Sequence, residues 1–179
     1  MFAEITQENG IYLALLLLRV TVGVTILLHG YNHIWGGGKI EGTARWFQSL
    51  GMKPGIVHAW LASITELVCG VLLIVGFLTP LAAAGVVGVM VVAFVTNHRP
   101  NGFFIFRPGE GYEYVLNLAV AATALAGIGA GRWSIDGQLE LDLAGLKGFV
   151  IVAVLGVGGA ALLLATSWRP QEKAVDSSQ

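Results

Sequence analysis

The chain has 179 residues, 55% of them hydrophobic and 12% charged, with a net charge of −1 and a mean hydropathy of +0.75. Soluble domains carry about 25% charged residues, so the composition argues for a membrane protein; with so few basic residues and no basic patch it excludes a nucleic-acid binder. The one cysteine, Cys69, excludes an internal disulfide and a CxxC redox pair.

The elements follow in chain order. Residues 1–10 read as a short N-terminal tail; Glu4 and Glu8 without a positive charge do not fit a secretory leader. A membrane-crossing helix needs about 20 mostly apolar residues, and the first such run is Ile11–Tyr31. It ends in a polar mouth, LLHGYNHIWGGGKIEG, where Gly36, Gly37 and Gly38 stop the helix. GTARWFQSLGMKPG (Gly42–Gly55) predicts a short helix with Thr43 as N-cap and Gly51 just past its end. Trp46, Phe47 and Leu50 share one face of it, which suits either the membrane interface or a lid on the bundle.

A second span, Val57–Phe77, joins a third, Leu81–Asn97, through a turn short enough only for a helical hairpin. The segment Asn97–Tyr114 carries two prolines and three glycines around an apolar stretch, Phe103–Phe106. Irregular backbone at membrane depth survives only against protein or water, so this segment is expected to dip over the mouth of the bundle. A short fourth span covers Tyr114–Ile128 and a fifth Gly148–Thr166; Arg169–Gln179 reads as a disordered polar tail. The fold expected is an all-α membrane bundle, a four-helix core over 11–136 followed by a loop and an additional helix over 137–168. Lysine and arginine outside the spans fall two on one side (Arg132, Lys147) and seven on the other, from Lys39 to Lys173. The positive-inside rule then puts the N-terminus outside, the C-terminus in the cytoplasm, and all four histidines at the cytoplasmic end of an inner (plasma) membrane.

Two charges lie deep in spans, Arg19 and Glu66. Each costs on the order of 2.5–3.5 kcal/mol at a helix centre, so the simplest expectation is that they pair. Arg19, Gly23, Ile26, Gly30 and His33 share one stripe at about 100° per residue, and the glycines would let a neighbouring helix approach closely. Asn97, Glu113 and Asn117 complete a predicted intramembrane polar network, which is either a structural tie or a ligand site. A pocket is expected at the histidine end, lined by His29, Gly30, His33 and His98 and roofed by Trp46, Phe103 and Phe104. His29 and His33 are one turn apart, a spacing open to a metal, but without a cysteine cluster or HExxH no metal site is predicted. No serine or cysteine sits in a nucleophile context.

The order of motifs resembles the DoxX family: RVTVGVTILLHG, then ARWFQSLG, ELVCGVLLIVGFLTPLAA, NGFF, GYEY and GIGAGRWSID, spanning Leu15–Asp136. That resemblance implies a small four-helix membrane protein, in some members similar to a subunit of a thiosulfate:quinone oxidoreductase. Another member is described as the membrane part of a complex with a superoxide dismutase and a sulfurtransferase. For this chain it implies a membrane component of a redox-associated complex, with other membrane or soluble redox proteins as partners and a quinone or small sulfur compound as ligand. The alternative is a non-catalytic scaffold that anchors partners. Two features depart from the family pattern: His33 stands where lysine is common, and the fifth span lies beyond the family core.

Overall fold

A computed structural model describes residues 7–170. It is all helix apart from turns and loops, with no named strand among the described residues. α1 is Gln7–Trp35, α2 Lys39–Ser49 and α3 Gly55–Val75. α4 runs Thr79–Asn101, its last turns widening into a π segment at Phe94–His98 and then tightening into a 3₁₀ turn at Arg99–Asn101. α5 is Glu113–Ile128, α6 the single turn Ile135–Gln138, and α7 Leu146–Ser167 with a π segment at Val152–Gly158.

The helix ends are set by local chemistry. Gly76, at φ +67°, closes α3: its N–H reaches the Leu73 carbonyl and the Phe77 N–H reaches Leu72. This satisfies carbonyls that a helix end otherwise leaves orphaned. α4 starts with Pro80 in its first turn, where the missing N–H costs nothing. α2 begins five residues earlier than a Thr43 N-cap predicts, and Thr43 is inside it; the Thr43 hydroxyl donates to the His33 carbonyl at 2.8 Å, so it ties α2 to α1 instead of capping α2. Gly51 does sit past the end of α2, at φ +88°.

α1, α3, α4, α7 and the shorter α5 cross the bundle in alternating directions. α1, α3, α4 and α7 are each long and apolar enough to span a membrane. α5, at 16 residues, is about 24 Å long, short against a hydrocarbon core of about 30 Å. α1, α3, α4 and α5 pack in a ring, and α7 lies outside it against α4 and α5. The α1–α3 seam is the closest: a Cβ on Gly23 would lie 2.8 Å from the Gly70 carbonyl oxygen, and one on Gly30 2.9 Å from that of Ser63. Only glycine permits this backbone approach. The outer faces of the spans are apolar and exposed, as at Leu17, Val120 and Leu162, which is the surface that lipid covers.

The far end of α7 is sewn to the α2–α3 turn. Arg169 N–H donates to the Gly51 carbonyl, Lys53 N–H to Ser167, and the Trp168 indole to Leu50 at 2.9 Å. The last helix therefore ends level with the end of α1, and α1 begins at the opposite end of the bundle. The loop between α4 and α5 closes on itself through Tyr112 N–H to Gly102 and Glu113 N–H to Phe103. Its apolar stretch does not dip into the bundle: Phe103–Phe106 point outward, Phe106 being 79% exposed. The polar tail predicted over 169–179 lies, beyond Pro170, outside the described residues.

Candidate ligand cavity

The predicted Arg19–Glu66 pair does not form. The glycine contacts set α1 and α3 in a register where Arg19 lies level with Ile74, eight positions along α3 from Glu66, which is about 12 Å. An arginine side chain does not bridge that offset. Arg19, 2% exposed, donates instead to the carbonyls of Leu73 and Ile74 at the end of α3 and to that of Trp133. A cation there meets both the orphan carbonyls and the negative end of the helix dipole. Asp136 completes this end. Its carboxylate accepts from the N–H groups of Leu78 at 2.7 Å and Thr79 at 2.9 Å, capping α4. Sequence reasoning missed Asp136 because it is distant along the chain; the signal was a carboxylate in a glycine-rich loop opposite a turn whose amides had no local cap.

Glu66 is spoken for at the other end. Its Oε2 lies 3.0 Å from His33 Nδ1, with the carboxylate 3% exposed. The approach is off the hydrogen-bond direction, and neither atom has another partner. The His33 ring sits beside Trp46 and edge-on to Phe47.

Around this contact opens a cavity of about 420 Å³, bounded by α1, α2, α3, α4, α5 and α7. Its walls are mostly apolar, and all four histidines, Glu66 and Tyr114 reach it. Each polar group arrives by a local feature. His29 and His33 are one turn apart on α1, and His58 and Glu66 are two turns apart on α3. The π segment of α4 turns Asn97 and His98 inward; Pro100 just beyond has no N–H to continue the regular ladder. A second π segment, in α7, brings Leu155 and Gly156 to the wall. Wide turns of this kind recur beside functional sites.

Three of the histidines have partners. His29 Nε2 and the Tyr114 hydroxyl are 2.9 Å apart with their rings stacked, His33 faces Glu66, and His98 Nδ1 donates to the Glu110 carbonyl at 2.9 Å. His58 uses one nitrogen only: Nε2 lies 3.3 Å from the Lys53 carbonyl, and Nδ1 is buried with no partner.

Of the residues predicted for the pocket, His29, His33, Trp46 and His98 line the cavity. Gly30 does not; it is a packing contact against α3. Phe103 and Phe104 lie on the outer loop and leave the roof to α2. Of the predicted network, Glu66 and Asn97 reach the cavity. Asn117 is exposed and bonds the Glu113 carbonyl of its own helix, while the Glu113 carboxylate accepts from Ile105 N–H and braces the loop. His58 and Tyr114 were absent from the predicted pocket. Tyr114 was visible as a polar aromatic at the start of a span, and His58 as a histidine two turns from Glu66. No group of three or more His, Cys, Asp or Glu is placed to hold a metal among the described residues.

Residues 14–99 match the DoxX family model. That segment belongs to the DoxX family. The match covers α2, α3 and most of α1 and α4, and so takes in every histidine and Glu66; Tyr114 and α7 lie beyond it. The chain is also similar to an uncharacterized membrane protein, Rv3486, of Mycobacterium tuberculosis: 28% identical over 131 residues, covering 69% of this chain and 79% of the relative. No solved structure matches the chain. The protein is a multi-pass membrane protein with a DoxX-matching segment over residues 14–99.

Proposed function

We propose that the protein is the membrane component of a redox-associated complex in the plasma membrane, and that its cavity binds a quinone-type ligand, a polar ring on an apolar body. The observation that carries this reading is the meeting of four histidines, Glu66 and Tyr114 in one otherwise apolar chamber. Small-molecule sites have this character, mostly apolar walls with a few convergent polar groups and a volume of roughly 300–1,000 Å³. A small sulfur anion suits the chamber less well: it is far smaller than the space and would face Glu66. The DoxX resemblance supports the redox setting. The lysine and arginine bias supports a cytoplasmic histidine end.

The test is a titration of the purified protein in lipid nanodiscs with a short-chain alkyl benzoquinone. Saturable binding, with a Kd on the order of micromolar, is expected, and Ala93→Phe, which fills the chamber, abolishes it. A parent protein that shows no saturable binding overturns the reading. A second reading, a non-catalytic scaffold, is favoured by the outward Phe103–Phe106 loop, an apolar tip rarely left bare without use. It predicts that Phe104→Ser with Phe106→Ser loses a co-purifying protein partner in mild detergent; an unchanged set of co-purifying proteins counts against it.

A further inference from the structure

Among the described residues, the cavity wall holds one buried histidine nitrogen with neither a hydrogen bond nor an ion contact. His58 is 4% exposed and lines the chamber. Its Nδ1 has no hydrogen-bond partner, whereas His29 meets the Tyr114 hydroxyl, His98 meets the Glu110 carbonyl, and His33 Nδ1, itself without a hydrogen bond, lies 3.0 Å from the Glu66 carboxylate. A buried imidazole nitrogen without a partner costs about 1–3 kcal/mol, and such orphans are uncommon in folded proteins.

The chemistry of the missing partner follows from the other nitrogen. The nearest group to His58 Nε2 is the Lys53 carbonyl, which only accepts. Nε2 therefore carries the hydrogen, and in the neutral ring Nδ1 is left as an acceptor. What it needs is a donor. The Glu66 carboxylate, about 12 Å away along the same face of α3, also accepts, and its Oε2 makes no hydrogen bond although it lies 3.0 Å from His33 Nδ1. A quinone presents carbonyl oxygens, which are acceptors; its reduced form presents hydroxyls, which are donors.

The apolar part of such a ligand also has a path. From His58 the chamber runs past Leu61 and Ala62 of α3 to Leu155 and Leu163 of α7. Leu61 and Leu155 are each about half exposed on the lipid-facing surface. At the aqueous end the same gap is shut by the backbone pairing of Gly51 and Lys53 with Arg169 and Ser167. A tail therefore leaves the chamber sideways, toward lipid.

We propose that His58 is the residue that reads the ligand's head, that it does so by accepting a hydrogen bond from a hydroxyl, and that the cavity thus selects the reduced, quinol-type form of a lipid-dissolved ligand over the oxidised form. This rests on the cavity reading above and adds to it the head-group chemistry and the residue that sets it. His58 acts here as a specificity determinant; no electron or proton transfer is assigned to it.

The experiment compares one alkyl benzoquinone with its purified quinol, titrated anaerobically into the protein in nanodiscs. The parent binds the quinol about tenfold more tightly than the quinone, the ratio expected from one hydrogen bond of roughly 1.4 kcal/mol. His58→Leu brings the ratio to about one, the quinol losing about tenfold more affinity than the quinone. His58→Gln, whose side-chain carbonyl still accepts, retains part of the preference, which a purely structural role would not predict. Equal affinities for both forms in the parent, or a ratio unchanged by His58→Leu, overturn the proposal and leave Nδ1 to water. If His58→Leu does not fold, His58→Gln and the parent ratio decide by the same criteria. Failure of either form to bind the parent overturns the cavity reading itself, a different result from equal binding of both.

Discussion

The two ends of the bundle treat buried polar groups in opposite ways. At the end where α3 meets α4, Arg19 and Asp136 are almost completely buried, and both are spent on backbone: Arg19 on the carbonyls ending α3, Asp136 on the amides starting α4. No chamber remains. A Cβ on Gly76 would lie 2.8 Å from the Arg19 guanidinium and 2.5 Å from the Ser134 side chain. At the histidine end the polar groups meet one another across helices and leave a cavity of about 420 Å³; His33 Nδ1 and Glu66 Oε2 touch without a hydrogen bond, and His58 Nδ1 has no partner. A buried charge is thus no marker of a site by itself. A deeply buried arginine turned onto helix-end carbonyls in a closely packed end is architecture, even with its Nε unpaired, whereas a weaker polar group left unsatisfied beside open space is a place for a ligand.

Three measurements break or sharpen this contrast. The largest effect is all or none. In a Cys69→Ser background, single cysteines replace the exposed Gln138 at the sealed end and the exposed Glu41 at the histidine end. An impermeant maleimide on whole cells is expected to label position 138 and spare position 41. The reverse pattern would put the cavity on the outer side and refute the orientation drawn from the charge bias. Next comes stability. Asp136→Ala strips two amides of their acceptor and removes the carboxylate near Arg19, a loss on the order of 3 kcal/mol. It should appear as a marked drop in the thermal midpoint in detergent, with Asp136→Asn milder; an unchanged midpoint would deny the sealed end its structural role. The smallest effect is expected at Tyr114→Phe, which removes a single hydrogen bond to His29 worth about 1 kcal/mol. A loss as large as that of Asp136→Ala would show that the histidine end, too, is held by its polar contacts.

Much of the architecture was legible in the sequence because it is written in local terms. Four long apolar helices and the shorter α5, the hairpin at Thr79–Pro80, the close α1–α3 approach at Gly23 and Gly30 and the stop at Gly51 follow from run length, turn chemistry and the spacing of small residues. The histidine-rich mouth was legible for the same reason, since polar residues at the end of an apolar run are conspicuous. Partner choice was not. Arg19 and Glu66 are the obvious pair by charge and depth, yet α1 extends over 29 residues, about 43 Å, well beyond a bilayer core of about 30 Å. Its overhang means that depth counted from a helix end does not give register.

What the sequence by itself determined is therefore the number, length and apolar faces of the helices, because these depend on neighbours in the chain. The tertiary structure alone decided which polar group meets which. It set Arg19 against the end of α3 and Glu66 against His33, brought Asp136 from a distant loop to cap α4, and left His58, on the chamber wall, with its Nδ1 unpartnered. The physical reason is the reach of a side chain. Hydrogen bonds and ion contacts form over about 3 Å, while a slip of one helical turn moves a residue by about 5.4 Å. Interhelical register, set by glycine-on-backbone packing along the whole seam, therefore decides every polar contact at once.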